Sequence, residues 1–246
     1  MKIVNIDTRA PEEFKKKDTK KRTDKLAREL ADLQHILYAE KKRSILIVFQ
    51  GMDASGKDGT TRKVFRYCSP AGINAYPFKK PTEKEMGHDF LWRVHKLAPQ
   101  KGMIQIFNRS HYEDVLIQRV HRWIDEDHVD HRFNAINAFE RNLVLDNNTT
   151  IFKFYLHISQ DRQKEKLQER IDNPRKQWKH NPNDWKEREK WDLYMEYYQD
   201  MIDRSEIPWY VVPADQRWYR DYFIAKTLLE EISKLNLKLP TFADNG

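Results

Sequence analysis

The 246-residue sequence has a single cysteine, Cys68, so it can hold neither an internal disulfide nor a cysteine-based zinc cluster. A reducing cytoplasm is the simplest setting for such a chain. No apolar run approaches the length of a membrane-crossing helix. The N-terminus, MKIVNIDTRAPEEFKKKDTKKRTDK, is basic and polar and lacks the apolar core of a secretory leader. Internal repeats and low-complexity tracts are absent. Hydrophobic residues reach only 39%, below the usual globular share, but 12% of the chain is aromatic, enough to furnish a sizeable core. Glycine is scarce as well. There are 7, and three of them, Gly51, Gly56 and Gly59, fall within nine residues.

What is abundant is charge, at 34% of residues, with a net charge of +7 and a pI near 9.2. That balance suits polyanionic partners, namely nucleic acid, a membrane surface or a smaller phosphate-bearing molecule, but it also suits a merely well-solvated surface. The length fits one large domain or a core with an appendage. Residues 1 to about 24 read as irregular. Leu26, Leu30, Leu33 and Leu37 then recur at helical spacing and predict an amphipathic helix. SILIVFQ, INAYPF, GMIQIFN, TIFKFYLHIS and IPWYVVPA read as strands. Helical segments separate them, including a single helix over TEKEMGHDFLWRVHKL and another running through NPNDWKEREKWDLYMEYYQDMI. Strands that alternate with helices predict an α/β fold, a doubly wound and mostly parallel sheet with helices on both faces. The division expected is a basic segment and helix over 1–43 and a core over 44–240, with a helical lid at about 160–190.

In VFQGMDASGKDGTTRKVF, Gly51, Gly56 and Lys57 match G-x-x-x-x-G-K between a buried strand and a helix, the context of a phosphate-binding loop. Glycine torsions turn backbone N–H groups inward, the following helix adds its positive end, and Lys57 places a mobile cation on phosphate. Asp58 stands where this motif usually has the Ser or Thr that holds magnesium. Asp53 lies inside the loop, where a carboxylate repels the cradled group. It makes sense if it faces a phosphate acceptor or a magnesium ion; the alternative is a carboxylate that orders the loop through backbone amides. A site that handles two phosphate chains follows from the first reading.

The strand GMIQIFN ends in Asn108, Arg109, Ser110, His111 and Tyr112. Related phosphate-loop proteins place a magnesium aspartate at the position of Asn108; Glu113 and Asp114 can supply the missing charge. Arg109 is placed to clamp transition-state charge, or to fix the helix through an ion pair. His111 is either a phosphate ligand or a packed core histidine. Residues 162–190 are dense in cations, with Arg162, Lys166 and Arg170 on one helix face. Pro174 and Pro182 break the helices around RIDNPRKQWKHNPND. The result is either a cationic lid that closes over the phosphates or a solvated charged hairpin.

GMDASGKDGTTR, FNRSHYEDV and RIDNPRKQWKHNPNDW together resemble the second family of polyphosphate kinases, over nearly all of residues 26–235. The resemblance implies a phosphate-loop fold like that of thymidylate kinase, with three α/β/α layers and a helical lid. It implies reversible transfer of a phosphoryl group from inorganic polyphosphate to AMP and ADP, with Mg2+ or Mn2+ and without a phosphohistidine. Asp53, Lys57 and Arg109 fall at its catalytic positions. Its phosphate- and nucleotide-binding positions correspond to Gly51, Ala54, Ser55, Gly56, Asp58, Gly59, Thr60, Arg62, Lys79, Lys80, His111, Arg175, Lys176 and Lys179. Asp53 and Glu113 are the candidate metal ligands. Asn108, His111, Tyr112 and Glu113 depart from many members and are similar to the subgroup that accepts both nucleoside mono- and diphosphates. Adenine nucleotides are the implied acceptors, with guanine nucleotides as a second base, and the implied assembly is a homo-oligomer, a tetramer, with no specific nucleic acid and no membrane. Two rival readings are an ATP-dependent nucleoside monophosphate kinase and a nucleic-acid-binding protein with a vestigial phosphate loop.

Overall fold

A computed structural model describes residues 2–242 of the chain. The elements run α1 (Lys16–Glu40), β1 (Ser44–Gln50), α2 (Lys57–Val64), β2 (Ile73–Pro77), α3 (Glu83–Met86), α4 (Trp92–His95), β3 (Ile104–Asn108), α5 (Glu113–Val120), α6 (Glu126–Leu145), β4 (Thr149–His157), α7 (Gln160–Asp172), α8 (Asn183–Arg188), α9 (Trp191–Arg204), β5 (Trp209–Pro213) and α10 (Arg217–Ser233). Among the described residues the five strands form one parallel sheet in the order β2-β3-β1-β4-β5. β1 lies at the centre, and every one of its residues is buried. A strand covered on both faces has no polar side, which is why SILIVFQ is a continuous apolar run rather than an alternating one. α1, α2 and α10 pack together on one face, and α5, α6 and α9 group on the other. The expected α/β three-layer architecture is the one observed.

Three expected elements differ; one of them, the helix expected to run through 181–202, is two, α8 and α9, divided at Glu189 and Lys190. α1 begins at Lys16, nearly three turns before the leucine pattern. Its first buried positions are Thr19 and Thr23, whose hydroxyls bond back to the carbonyls of Lys15 and Thr19, so a polar residue type occupies the inner face. Met1, the first residue of the expected N-terminal segment, lies outside the described residues. The single helix expected over 82–97 is two short ones. Thr82 and Glu85 form a capping box around the first turn, and Asp89 accepts from the Leu91 N–H to start the second. Gly87 lies between them.

The register fixes what meets at the sheet edge. Phe49 pairs with Asn108, and the Arg109 N–H donates to the Phe49 carbonyl at 2.9 Å. The loop after β1 and the turn after β3 therefore leave the sheet side by side, at the carboxyl edge where ligands bind in open α/β sheets.

Candidate active site

The loop from Gly51 to Gly56 depends on its glycines for space as well as torsion. Gly51 has φ +141° and Gly56 φ +103°. A Cβ at Gly51 would lie 2.7 Å from the Leu156 backbone oxygen, and one at Gly56 would lie 1.8 Å from Arg220 Nη1. Arg220 reaches from α10, donates to the Ser55 carbonyl at 2.9 Å and pairs with Asp221, which accepts from the Thr60 hydroxyl. This buttress is invisible to local sequence reading, because Arg220 and Ser55 are 165 residues apart. The Thr60 hydroxyl is thereby committed to α10 and not to the loop. Ser55 Oγ is buried with no partner.

Four charged side chains converge above this loop. Lys57 Nζ donates to the carbonyls of Gly51 at 2.7 Å and Met52 at 3.3 Å. Arg109, held at φ +61°, pairs with Asp53. Glu113 opens α5, and the Gln50 amide, oriented to satisfy its neighbours, donates to Glu113 Oε1 at 2.9 Å and accepts from Ser110 Oγ. Burial raises the Asp53 carboxyl, but Arg109 and Lys57 outweigh it and hold it below the usual aspartate range. Burial and the Arg109 charge pull Lys57 down to about 8, against Asp53, Glu113 and Asp58. Burial lifts Glu113 above the usual glutamate range despite Arg109 and Lys57. Such a desolvated carboxylate gains most from a nearby cation.

Asn108 is engaged through both atoms of its amide. Its oxygen accepts from Thr61 and its amide donates to Asp58, both on α2. Among the described residues no group of three or more His, Cys, Asp and Glu forms a ready-made metal cluster. Magnesium does not require one, since it is commonly held by one or two carboxylates with the rest of its shell from substrate phosphates and water. The acidic oxygens of Asp53 and Glu113 fit that pattern.

The Asp53–Arg109 pair stands where two cavities meet. The first, of about 390 Å³, covers the loop and is lined by Ala54, Ser55, Gly56, Lys57, Asp58 and Gly59 together with Arg62 and the lid cations Arg162, Lys166, Arg170, Lys176 and Lys179. It continues through Arg62, Arg162, Arg217 and Arg220 into a basic trough of about 1450 Å³ that Arg9, Lys16, Lys20, Lys63 and Arg66 also line. The second cavity, of about 830 Å³, shares Asp53, Phe78 and Arg109 with the first. Its wall carries Lys79, Lys80, Arg93, Glu113, Tyr194, Tyr198 and Trp123. Trp123 is exposed and stacks on His121 at 4.8 Å, while His121 and Tyr194 are both bonded to Glu187. Arg93 is braced by Asp114 and donates to the Lys79 carbonyl. Sequence reading missed these aromatics and Arg93 because they come from separate elements with no shared motif.

Three expected ligands stay out of the clefts: Thr60, whose hydroxyl is bonded to Asp221, and His111 and Arg175. His111 is fully buried and bonded to Glu140, so the packed alternative holds. Arg175 is exposed and lines neither cavity. Lys176 lines the first cavity but is paired with Glu169, and Lys179 sits 3.9 Å from Asp58. The segment expected to be a lid folds as α7, a 3-10 turn at Gln177–Lys179 and α8, tied by Arg170 to Asp184 and by Arg188 to the Gln160 carbonyl.

Residues 13–240 match the family model described as Polyphosphate kinase 2 (PPK2). The AMP/ADP-polyphosphate phosphotransferase of Meiothermus ruber is 46% identical over 87% of this chain and 81% of its own. The ADP-polyphosphate phosphotransferase of Rhodopseudomonas palustris is 38% identical over 86% of this chain and 78% of its own. Among solved structures, polyphosphate kinase 2 from Arthrobacter aurescens TC1 superposes with a TM-score of 0.94 at 38% identity, over 98% of this chain and 88% of that one. With motifs, sheet order and cleft in agreement, the chain belongs to the polyphosphate kinase 2 family.

Proposed function

We propose that the protein is a polyphosphate-dependent nucleotide kinase that moves the terminal phosphoryl group of inorganic polyphosphate onto AMP and ADP, reversibly. The observation that carries this reading is the Asp53–Arg109 pair at the junction of a basic phosphate cleft and a second, aromatic-walled cavity. The cleft and the trough behind it suit a long polyanion: cations flank the whole path, and an inorganic chain needs no aromatic surface. The second cavity suits a nucleotide, with rings for the base and Lys79, Lys80 and Arg93 for its phosphates. The relative from M. ruber, whose name covers AMP and ADP, supports the acceptor range.

In the forward reaction an oxygen of the acceptor's terminal phosphate attacks the terminal phosphorus of polyphosphate. The bridging P–O bond breaks, and the shortened chain leaves with that electron pair. Loop amides and Lys57 hold the donor, Arg109 neutralises charge on the transferring group, and the lid excludes water that would hydrolyse it. Asp53 and Glu113 would hold magnesium, or manganese in its place, and the ion would neutralise phosphate oxygens. Asp53 also fixes the Arg109 guanidinium. Guanine nucleotides as further acceptors, a homo-oligomeric assembly and a cytoplasmic location belong to the same proposal; among the described residues no helix is long and apolar enough to cross a membrane.

The test is incubation with AMP or ADP, magnesium and long-chain polyphosphate, with the nucleotides resolved by chromatography. ADP and ATP are expected. Phosphorylation of AMP that depends on added ATP and ignores polyphosphate would overturn the reading.

A further inference from the structure

Immediately after Arg109 the chain plunges into the core: Ser110, His111 and Tyr112 are all fully buried. There they meet a polar cluster that touches neither cavity. Glu140 of α6 is 1% exposed and Lys153 of β4 is 0% exposed. Lys153 Nζ donates to Glu140 Oε2 at 2.7 Å and to Tyr112 Oη at 2.6 Å. Tyr112 Oη donates to Glu140 Oε1 at 2.9 Å, and His111 Nε2 lies 3.1 Å from the same oxygen. Ser205, beyond the end of α9, closes the group at 3.2 Å from Tyr112 Oη.

Stability alone does not explain this arrangement. A buried ion pair loses so much hydration that well-packed apolar residues often serve as well or better. What such a pair does supply is direction, because only one placement of the groups satisfies all of them. The neighbouring backbone needs direction. Arg109 sits at φ +61°, a conformation an arginine does not favour on its own. Ahead of it, its N–H is bonded to β1; behind it, Ser110 is bonded to Gln50 of β1, and His111 and Tyr112 then enter the cluster.

We propose that Glu140, Lys153 and Tyr112 are positioning residues for phosphoryl transfer: their cluster anchors the far end of the Arg109 turn and so sets where the guanidinium meets the transferring group. The inference rests on the reaction proposed above. It makes the core between α6 and β4 part of the catalytic geometry, although no residue in the cluster touches substrate.

The experiment starts with wild-type enzyme, AMP or ADP, magnesium and polyphosphate. Absence of turnover there would remove the proposed reaction and this inference with it. Given turnover, the paired variant Glu140→Gln with Lys153→Met removes both charges at similar volume. It should fold with a Tm at or above that of the wild type, because no charge is stranded. Its kcat should fall about 10- to 100-fold, the cost of a displaced catalytic group, while both KM values stay within about twofold. Made in an Arg109→Lys protein, the same pair of changes should cost less than about twofold, because the group it positions is already gone. Tyr112→Phe, which removes one hydroxyl and keeps the packing, should lower kcat without moving KM and decides the matter should the paired variant not fold. A folded variant with wild-type kcat, or an equal loss in both Arg109 backgrounds, would show that the cluster is structural only.

Discussion

At Lys57 burial and the charge of Arg109 act together against the neighbouring carboxylates. Its ammonium is pulled down to about 8, so it is protonated below that pH and neutral above it. Polyphosphate affinity in the free enzyme should therefore fall as pH rises through 8. A plot of KM for polyphosphate on either side of that value should bend upward, and Lys57→Arg, charged throughout, should lose the bend. Lys57→Ala should cost about 10²–10³-fold in kcat, the scale of one lost transition-state donor, with the fold intact. Among the described residues its ammonium bonds only loop carbonyls, so near-normal turnover in a folded variant would remove the phosphate-loop assignment. Glu113 carries the subtler expectation. Glu113→Asn should lower AMP and ADP phosphorylation by clearly different factors and shift the magnesium optimum, measured on one preparation across a magnesium titration. Equal losses with an unchanged optimum would make Glu113 a helix residue only. Lys57 was legible because its motif is contiguous in sequence. Arg220 was not, since the carbonyl it supports lies at the other end of the chain and an arginine in a terminal helix reads as surface charge.

At the scale of elements, the lid is the part whose charge can be titrated against its ligand. Glu169 collects Lys166 and Lys176, with Arg217 at 3.9 Å, and hydrogen bonds from Lys176 and Lys166 bring it down to about 2. It occupies cations that a polyanion would otherwise engage. Replacing Lys176 and Lys179 by Ala should raise KM for polyphosphate about 3- to 10-fold, flatten its salt dependence and leave nucleotide KM nearly unchanged. Glu169→Gln should act in the opposite direction on KM, lowering it about twofold as the competing carboxylate is removed. Equal effects on both ligands would place polyphosphate elsewhere. The helix–turn–helix of this segment was legible from its two prolines, and its cavity-facing charge from its cation density. The start of α1 was not, because buried threonines replace the leucines that mark its later turns. The paired short helices α3 and α4 were read as one because Phe90, Val94 and Leu97 keep helical spacing across a break that Gly87 and Asp89 impose locally.

For the whole molecule, the strand order and the all-parallel sheet place every functional loop on one edge, and this much follows from alternating apolar runs and helical segments. The second cavity does not follow from them. Phe78, Arg93, Trp123, Tyr194 and Tyr198 meet only after the sheet is assembled and α9 has packed against α5. The central claim is that one junction, at Asp53 and Arg109, joins an inorganic donor to a nucleotide acceptor. The most direct measurement uses polyphosphate labelled with ³²P, unlabelled ADP and magnesium, with no ATP added. The account predicts label in the terminal phosphate of ATP at a rate matching polyphosphate shortening, and loss of both together in Arg109→Ala. Polyphosphate shortening that releases free phosphate without labelling ATP, or ATP formation that continues unchanged in Arg109→Ala, would contradict it.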